Sequence, residues 1–395
     1  MKILHIIATS DPAYGGPIEG ILRQDQVTRP LGITRELVTL DGSDAPHLQN
    51  MPLKVHPLGV ALYNGQRWNP ILRYGFTPKL IPWLRNNISS YDCVVVNGLW
   101  NYATLAASFV LRRSDTPYIV FTHGMLDPWF KKYYPLKHWA KQLFWLFCEG
   151  PLLKHANAVI FTTEEERRLA RTSFWGYSYH EKVVGYGTAD VTGDKAGQKA
   201  AFMAHLPQLR GRKFFLFLSR LHPKKGCDLL IESFSNIAAR YPEVDLVIAG
   251  PDQVGWKRDL ESIAASLGIA HRVHWPGMLA GDVKWGAFRA AEAFILPSHS
   301  ENFGIVVAEA LACATPVLIS DKVNIWREVE SSGGGLVEAD NLPGTTRLLL
   351  KFLELDCCAK REMRAKARKC FLENFEITSF ARNLIIVLRG GVDGK

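Results

Sequence analysis

Two carboxylates, Glu301 and Glu309, flank the start of an apolar stretch in the run Pro297-Ser-His-Ser-Glu301-Asn-Phe-Gly304-Ile-Val-Val-Ala-Glu309. A glycine at a loop–helix junction lets the backbone approach a ligand closely. The first N–H groups of the helix that follows have no intrahelical partner and attract anions. One carboxylate on either side of such a helix start can hold a hydroxyl-rich, phosphate-bearing molecule. The pair also reads as an acid/base couple, or as a loop glutamate plus an exposed helix glutamate. Arg220 directly follows the apolar run 213–219, and Lys225 comes shortly after it, just before Gly226. A forked guanidinium and a compact ammonium at one strand end suit a diphosphate; they equally suit a solvated loop. In the N-terminal half, Gly15-Gly16 falls between the first strand and the first helix, where either a phosphate loop or a plain turn belongs. His123-Gly124 ends the apolar run 117–122, and there the histidine is either a site residue or a structural one.

The elements that must position these residues alternate between strand and helix. Strands are predicted over 2–8, 35–40, 53–58, 91–98, 117–124, 157–163 and 183–187. Helices are predicted over 18–27, 78–88 and 101–113, and after a cap at Thr162 or Thr163. The second half restarts the pattern with strands 213–220, 245–250, 272–277, 293–296 and 316–319. Its helices fall at 227–239, 257–267 and 283–290, after Gly304, and over most of 340–388. This alternation predicts an α/β protein of two doubly wound halves, each with a parallel sheet, whose carboxyl edges face a central cleft. The boundaries expected are 1–187, a polar linker over 188–212, and 213–370.

Residues 129–147 hold four lysines and eight aromatics and no acidic residue. A helix with Lys131, Lys132, Lys137 and Lys141 on one side and Trp139, Phe144 and Trp145 elsewhere suits an anionic bilayer surface. The alternative is a core helix whose lysines are solvated.

Composition bounds the rest. A chain of 395 residues with 47% hydrophobic and 22% charged residues supports two ordinary cores. The net charge of +9 is scattered, which argues against a nucleic-acid partner and suits anionic substrates or an anionic surface. Seven scattered cysteines without a C-x-x-C point to reduced thiols and a cytoplasmic protein. The N-terminal apolar run is too short for a secretory signal, and no stretch reaches the roughly 18–20 apolar residues of a membrane span. There is no G-x-S-x-G, Walker loop, H-E-x-x-H or D-x-D clamp, and neither Gly185-Tyr186-Gly187 nor Gly333–Gly335 has the G-x-G-x-x-G form. No metal and no cofactor is expected.

The same residues resemble the group 1, or family 4, retaining glycosyltransferases of the GT-B fold. The run from Ser300 to Leu311 looks like that family's E-x7-E signature. Phe217–Gly226, Thr122-His123-Gly124, Leu296-Pro297-Ser298, Pro316–Ser320 and the Gly15-Gly16 loop match in order. THGMLDPW and SENFGIVVAEAL look most like the exopolysaccharide-building branch. The resemblance implies two Rossmann-like domains and a C-terminal helix, 371–395, crossing back to the first. It places Arg220 and Lys225 on the donor diphosphate, Glu309 on the ribose, and Glu301 on the transferred sugar. Backbone N–H groups of Asn302, Phe303 and Gly304 would hold sugar or phosphate. Gly15 and Gly16 would approach the phosphates, and His123 would lie at the donor sugar beside the acceptor. It implies a hexose transfer from a nucleotide sugar, with UDP-glucose favoured over GDP-mannose, to a saccharide or lipid-linked saccharide in exopolysaccharide or cell-surface polysaccharide synthesis, and the 129–147 stretch would place the protein peripherally on the inner membrane face. A UDP-sugar epimerase, or a nucleotide-sugar-binding protein without transfer activity, remains as the other reading. The family's Asn-Gly after the domain-linking strand is Tyr186-Gly187 here, and no acceptor motif carries over.

Overall fold

The computed structural model describes residues 1–12, 16–60, 74–128, 131 and 134–392. The chain divides into two compact units. One is Met1–Gly187 together with the chain from Ile377 onward, and the other is Thr188–Glu376.

Among the described residues, the first unit is built on seven parallel strands: β1 Lys2–Ile6, β2 Thr34–Thr39, β3 Lys54–Pro57, β4 Cys93–Asn97, β5 Tyr118–Phe121, β6 Ala158–Phe161 and β7 Glu181–Val183. Their order is β3-β2-β1-β4-β5-β6-β7. β4, β5 and β6 are buried along their whole length, as continuous apolar runs in a helix-covered parallel sheet should be. Local chemistry starts the helices: Asn101 and Thr104 form a capping box at helix Tyr102–Leu111, and Thr163 caps helix Glu164–Ala170.

The second unit holds six parallel strands: β8 Lys213–Leu218, β9 Val244–Ala249, β10 Val273–Gly277, β11 Ala293–Leu296, β12 Val317–Ser320 and β13 Gly335–Glu338. Their order is β10-β9-β8-β11-β12-β13. Phe214, Phe215 and Phe217 of β8 are fully buried, because a central strand covered on both faces buries every side chain.

Three expectations change. The stretch 188–212 is not a linker. Asp194 accepts from the N–H groups of Ala196 and Gly197 and starts helix Lys195–His205, which packs on helix Gly281–Ala290. Phe202 is fully buried, 5.4 Å from Phe214 ring to ring. Part of that anchoring is polar, with Gln198 accepting from Arg289 Nε at 2.7 Å, and this is why the segment reads as linker from composition. The returning helix does not begin at 371. Helix Cys357–Asn374 belongs to the second unit, with Phe371 in its core, and the chain breaks at Phe375-Glu376. Helix Ile377–Val392 then packs against helix Gly16–Thr28 in the first unit. Finally, 129–147 is not one helix. Helix Pro135–Phe144 runs into a π-turn, Trp145–Glu149, and Trp145 is core at 1% exposure. Lys141 lies over the Trp100 ring at 4.7 Å instead of joining a solvated lysine face. Trp129, Phe130, Lys132 and Tyr133 lie outside the described residues.

Candidate functional site

In the second sheet the strand order reverses at β8 and β11, which are neighbours. Chain leaving their carboxyl ends diverges there, the place where doubly wound sheets bind ligands. Both loops of interest start at that point. Arg220 follows β8 and is exposed, its Nη1 donating to Gln253 Oε1 at 3.3 Å. Lys225 closes the short turn Pro223–Lys225 and is 8% exposed. Gly226 has φ +66°, and a Cβ there would lie 2.3 Å from Pro297 O, so glycine lets the two loops close on each other. His299 N–H donates to Lys224 O at 2.8 Å and completes the junction. The site is electropositive: burial, then the charges of Arg220, Lys224 and Lys225, hold the His222 imidazole below its usual pKa.

Glu301 is fixed through its backbone. Its N–H donates to Lys322 O and its carbonyl accepts from Asn324 N, both at 3.0 Å. Its carboxylate pairs with the Lys225 ammonium. Asn302 Oδ1 accepts from Asn324 Nδ2 at 3.4 Å. Phe303 is an anchor, 7% exposed and edge-on to Phe375 at 5.6 Å. Gly304, at φ +70°, starts helix Ile305–Ala312. A side chain there would crowd Glu301 and Val323, so the sharp entry depends on glycine.

Glu309 is not an exposed helix glutamate. It is 2% exposed, with Oε2 2.7 Å from Lys284 Nζ. Glu301 and Glu309 therefore have different cations, Lys225 and Lys284. That arrangement holds two negative charges in place and does not resemble two carboxyls sharing a proton.

On the first unit, His123 follows β5 at φ +49°, a left-handed conformation that costs a non-glycine residue about 1–3 kcal/mol unless its surroundings impose it. Glu166 imposes it. Its Oε1 accepts from Thr122 Oγ1 at 2.8 Å and Gly124 N at 2.7 Å, and its Oε2 accepts from Thr162 N and Oγ1, both at 2.7 Å. His123 Nε2 meets Asn97 Oδ1 at 3.2 Å, its ring stacks on Phe121, and burial pushes its pKa down to about 4. Gly16 begins helix Gly16–Thr28, and its carbonyl accepts from Tyr186 Oη at 2.9 Å. Tyr186, the residue that departs from the family pattern, thus closes on the glycine loop. Gly15 lies outside the described residues.

Four residues that shape these edges were not singled out from sequence: Lys284, Asn97, Glu166 and Glu149. Asn97 carried a signal, a polar residue ending a buried strand at the carboxyl edge. Glu166 carried another, as the N3 glutamate after a Thr cap. Buried Glu149 accepts from Trp100 N at 2.8 Å and supports that residue's φ of +68°. Its burial raises the carboxyl pKa to about 7. Lys284 carried no signal. Among the described residues no cluster of three or more His, Cys, Asp or Glu could hold a metal, and no helix is long and apolar enough to cross a membrane.

Known proteins share these features. Residues 199–369 match the family model described as glycosyl transferases group 1, and residues 21–187 match the glycosyl transferase 4-like domain. The chain is 34% identical to the D-inositol 3-phosphate glycosyltransferase of Rhodococcus jostii over 181 residues, 45% of this chain and 40% of that protein. It is 31% identical to the phosphatidyl-myo-inositol mannosyltransferase of Mycolicibacterium smegmatis over 233 residues, 53% of this chain and 58% of that protein. The chain thus spans about half the length of the curated relatives it matches. Among solved structures, Anabaena HepE in complex with UDP and glucose superposes with a TM-score of 0.75 at 17% identity, covering 98% of this chain and 99% of that one. That likeness shows the fold, GT-B.

Proposed function

Because the chain belongs to the group 1 glycosyltransferases, we propose that it moves a hexose from a nucleotide diphosphate sugar to an acceptor hydroxyl with retention. The observation that carries this reading is the Lys225–Glu301 pair beside the helix start at Gly304, at the reversal point of the second sheet. Lys225, Arg220 and the Gly304 helix start stabilise charge on the departing diphosphate, and such preorganised electrostatics usually does most to lower the barrier. Glu301, steadied by Lys225, takes hydroxyls of the transferred sugar, and backbone at Asn302, Phe303 and Gly304 holds sugar or phosphate. Glu309 takes the ribose hydroxyls, for which Lys284 now stands in. Gly15-Gly16 and His123 serve the substrate edge of the first unit. The bond from C1 to the phosphate oxygen breaks as the bond from C1 to the acceptor oxygen forms on the same face. The acceptor proton passes to the phosphate oxygen that leaves. The reading assigns no metal to the step, so turnover unchanged by EDTA is expected.

UDP-glucose is the favoured donor; the solved relative holding UDP and glucose supports it, while the relative named a mannosyltransferase supports GDP-mannose as the rival. A thermal-shift panel of UDP, GDP, ADP and their sugars separates them. A donor at 100 times its Kd stabilises by about 2.7 kcal/mol. The largest shift is expected with UDP-glucose. A larger shift with GDP-mannose replaces the donor, and no shift with any nucleotide sugar sinks the reading.

The acceptor proposed is a saccharide or a lipid-linked saccharide of a cell-surface polysaccharide, met at the cytoplasmic face of a bilayer. Support comes from Leu136, Trp139, Leu143 and Phe147, which are 85%, 66%, 61% and 71% exposed and spaced three or four residues apart. Exposed Lys131 precedes them and exposed Lys137 lies among them, with no acidic residue between 128 and 148. Such a face suits an anionic lipid surface, where each basic residue adds about 1 kcal/mol. The protein is expected to sediment with phosphatidylglycerol vesicles, less at high salt, and much less as the Trp139→Ser, Leu143→Ser variant. No sedimentation at low salt would remove the membrane from the account.

A further inference from the structure

The ring of His123 is one end of a buried chain of polar groups. Asn97, the last residue of β4, is 5% exposed and stands between two imidazoles. Its Oδ1 lies 3.2 Å from His123 Nε2, and its Nδ2 lies 3.3 Å from His5 Nδ1. Either imidazole nitrogen can donate or accept, so these contacts alone do not say where the protons are. Two backbone carbonyls decide it. Asn97 Nδ2 is 3.2 Å from Val95 O and 3.4 Å from Ile6 O. Turning the amide over would set its oxygen against both carbonyl oxygens, in a buried place where neither could turn to water. The amide nitrogen therefore faces the carbonyls and His5, and the amide oxygen faces His123. An amide oxygen only accepts, so His123 carries its proton on Nε2. An amide nitrogen only donates, so His5 Nδ1 accepts and His5 carries its proton on Nε2.

The far end of the chain agrees. His5 Nε2 and Gln24 Oε1 are both buried and both lack a hydrogen-bond partner among the described residues. His5 and Gln24 line one cavity of about 10 Å³, with Ile21, Phe121 and Tyr186. That is about the volume one water needs. A water there would accept from the His5 N–H and donate to the Gln24 oxygen. Burial, with the nearby positive charge of Arg35, holds the His5 imidazole well below its usual pKa, so neither ring is protonated twice near neutral pH.

We propose that His5 and Asn97 are positioning residues that fix His123 as its Nε2–H tautomer, leaving Nδ1 as an acceptor for a substrate hydroxyl. The hydroxyl in this statement rests on the glycosyl-transfer reading above; the tautomer does not. A His123 free to exchange tautomers would present a donor for part of the time, and a sugar hydroxyl that must donate would then face an N–H. The relay removes that state with no charge in the site.

Imidazole ¹⁵N spectra of the full chain test the relay without substrate or activity. His123 is assigned by its loss in His123→Gln. The wild type is expected to show His123 protonated on Nε2 alone at pH 7, with a slowly exchanging Hε2. In Asn97→Leu that proton should exchange too fast to observe. A wild-type His123 carrying its proton on Nδ1, or an Hε2 equally protected in Asn97→Leu, overturns the proposal. If Asn97→Leu does not fold, the wild-type spectrum decides. A confirmed tautomer together with an absent nucleotide-sugar shift would keep the relay and discard the donor assignment.

Discussion

Alanine at Lys225 is expected to lower turnover of the nucleotide sugar by about 10²- to 10³-fold, the loss typical of removing one preorganised electrostatic group from a developing anion. Two effects combine. The ammonium is withdrawn from the proposed diphosphate position, and Glu301 keeps its negative charge without the cation that now pairs with it. Glu301 would then repel the phosphates it stands beside. Arginine at 225 is not a conservative substitute, because Lys225 is 8% exposed and pairs with Glu301 as a compact ammonium, which a larger planar fork does not reproduce. The measurement is steady-state transfer of labelled hexose at saturating and limiting donor, with a melting curve as the folding control. A fall in kcat/KM with an unchanged melt is expected. Turnover within threefold of wild type in a folded Lys225→Ala would remove this lysine from the mechanism.

Alanine at Glu166 is expected to cost about 2–6 kcal/mol, because two backbone N–H groups lose their acceptor at about 1–3 kcal/mol each. The carboxylate is 4% exposed and accepts four hydrogen bonds, from Thr122 Oγ1, Gly124 N, Thr162 N and Thr162 Oγ1. The two hydroxyls can turn elsewhere, but the two backbone N–H groups cannot. With them goes the restraint that keeps His123 at φ +49°. Hydrogen exchange is the suitable readout, because a two-unit chain need not unfold in one step. Protection at Gly124 and Thr162 should fall by about 10²-fold or more, each tenfold being about 1.4 kcal/mol. Glu166→Gln should lie between, since an amide keeps one acceptor atom and presents a donor to groups that also donate. A change below tenfold in Glu166→Ala would mean that the His123 turn is held by its own packing.

Much of this protein is legible along the chain. Buried parallel strands announce themselves as unbroken apolar runs such as Cys93–Val96 and Phe214–Leu218, and the Gly226 and Gly304 breaks mark where strands give way to helices. The motif run from Ser300 to Leu311 and its order after Arg220 and Lys225 suffice to assign the family. Where the reading failed, polarity misled it. Residues 188–212 look like a linker because Asp194, Gln198 and their partners anchor a real helix through hydrogen bonds, with little hydrophobic periodicity to show for it. The stretch 129–147 looks like one amphipathic helix, yet the π-turn at Trp145–Glu149 shifts the register and turns Trp145 into the core. A single inserted residue in a helix leaves no mark on composition.

Glu301 and Glu309 show where the division lies. Their identity, their spacing and the glycine between them are local facts, and the sequence by itself determined them, along with the two-sheet α/β architecture. Which cation each carboxylate meets was decided only by the tertiary structure. Lys225 reaches Glu301 because β8 and β11 lie side by side, and Lys284 of helix Gly281–Ala290 reaches Glu309 of helix Ile305–Ala312 across the fold. Likewise Asn97 orients His123 because β4 and β5 are neighbours. Secondary structure follows from interactions a few residues apart, whose period is written in the chain. A charge pair or a tautomer is set by atoms within about 3 Å, which strand order brings together from distant parts of the sequence.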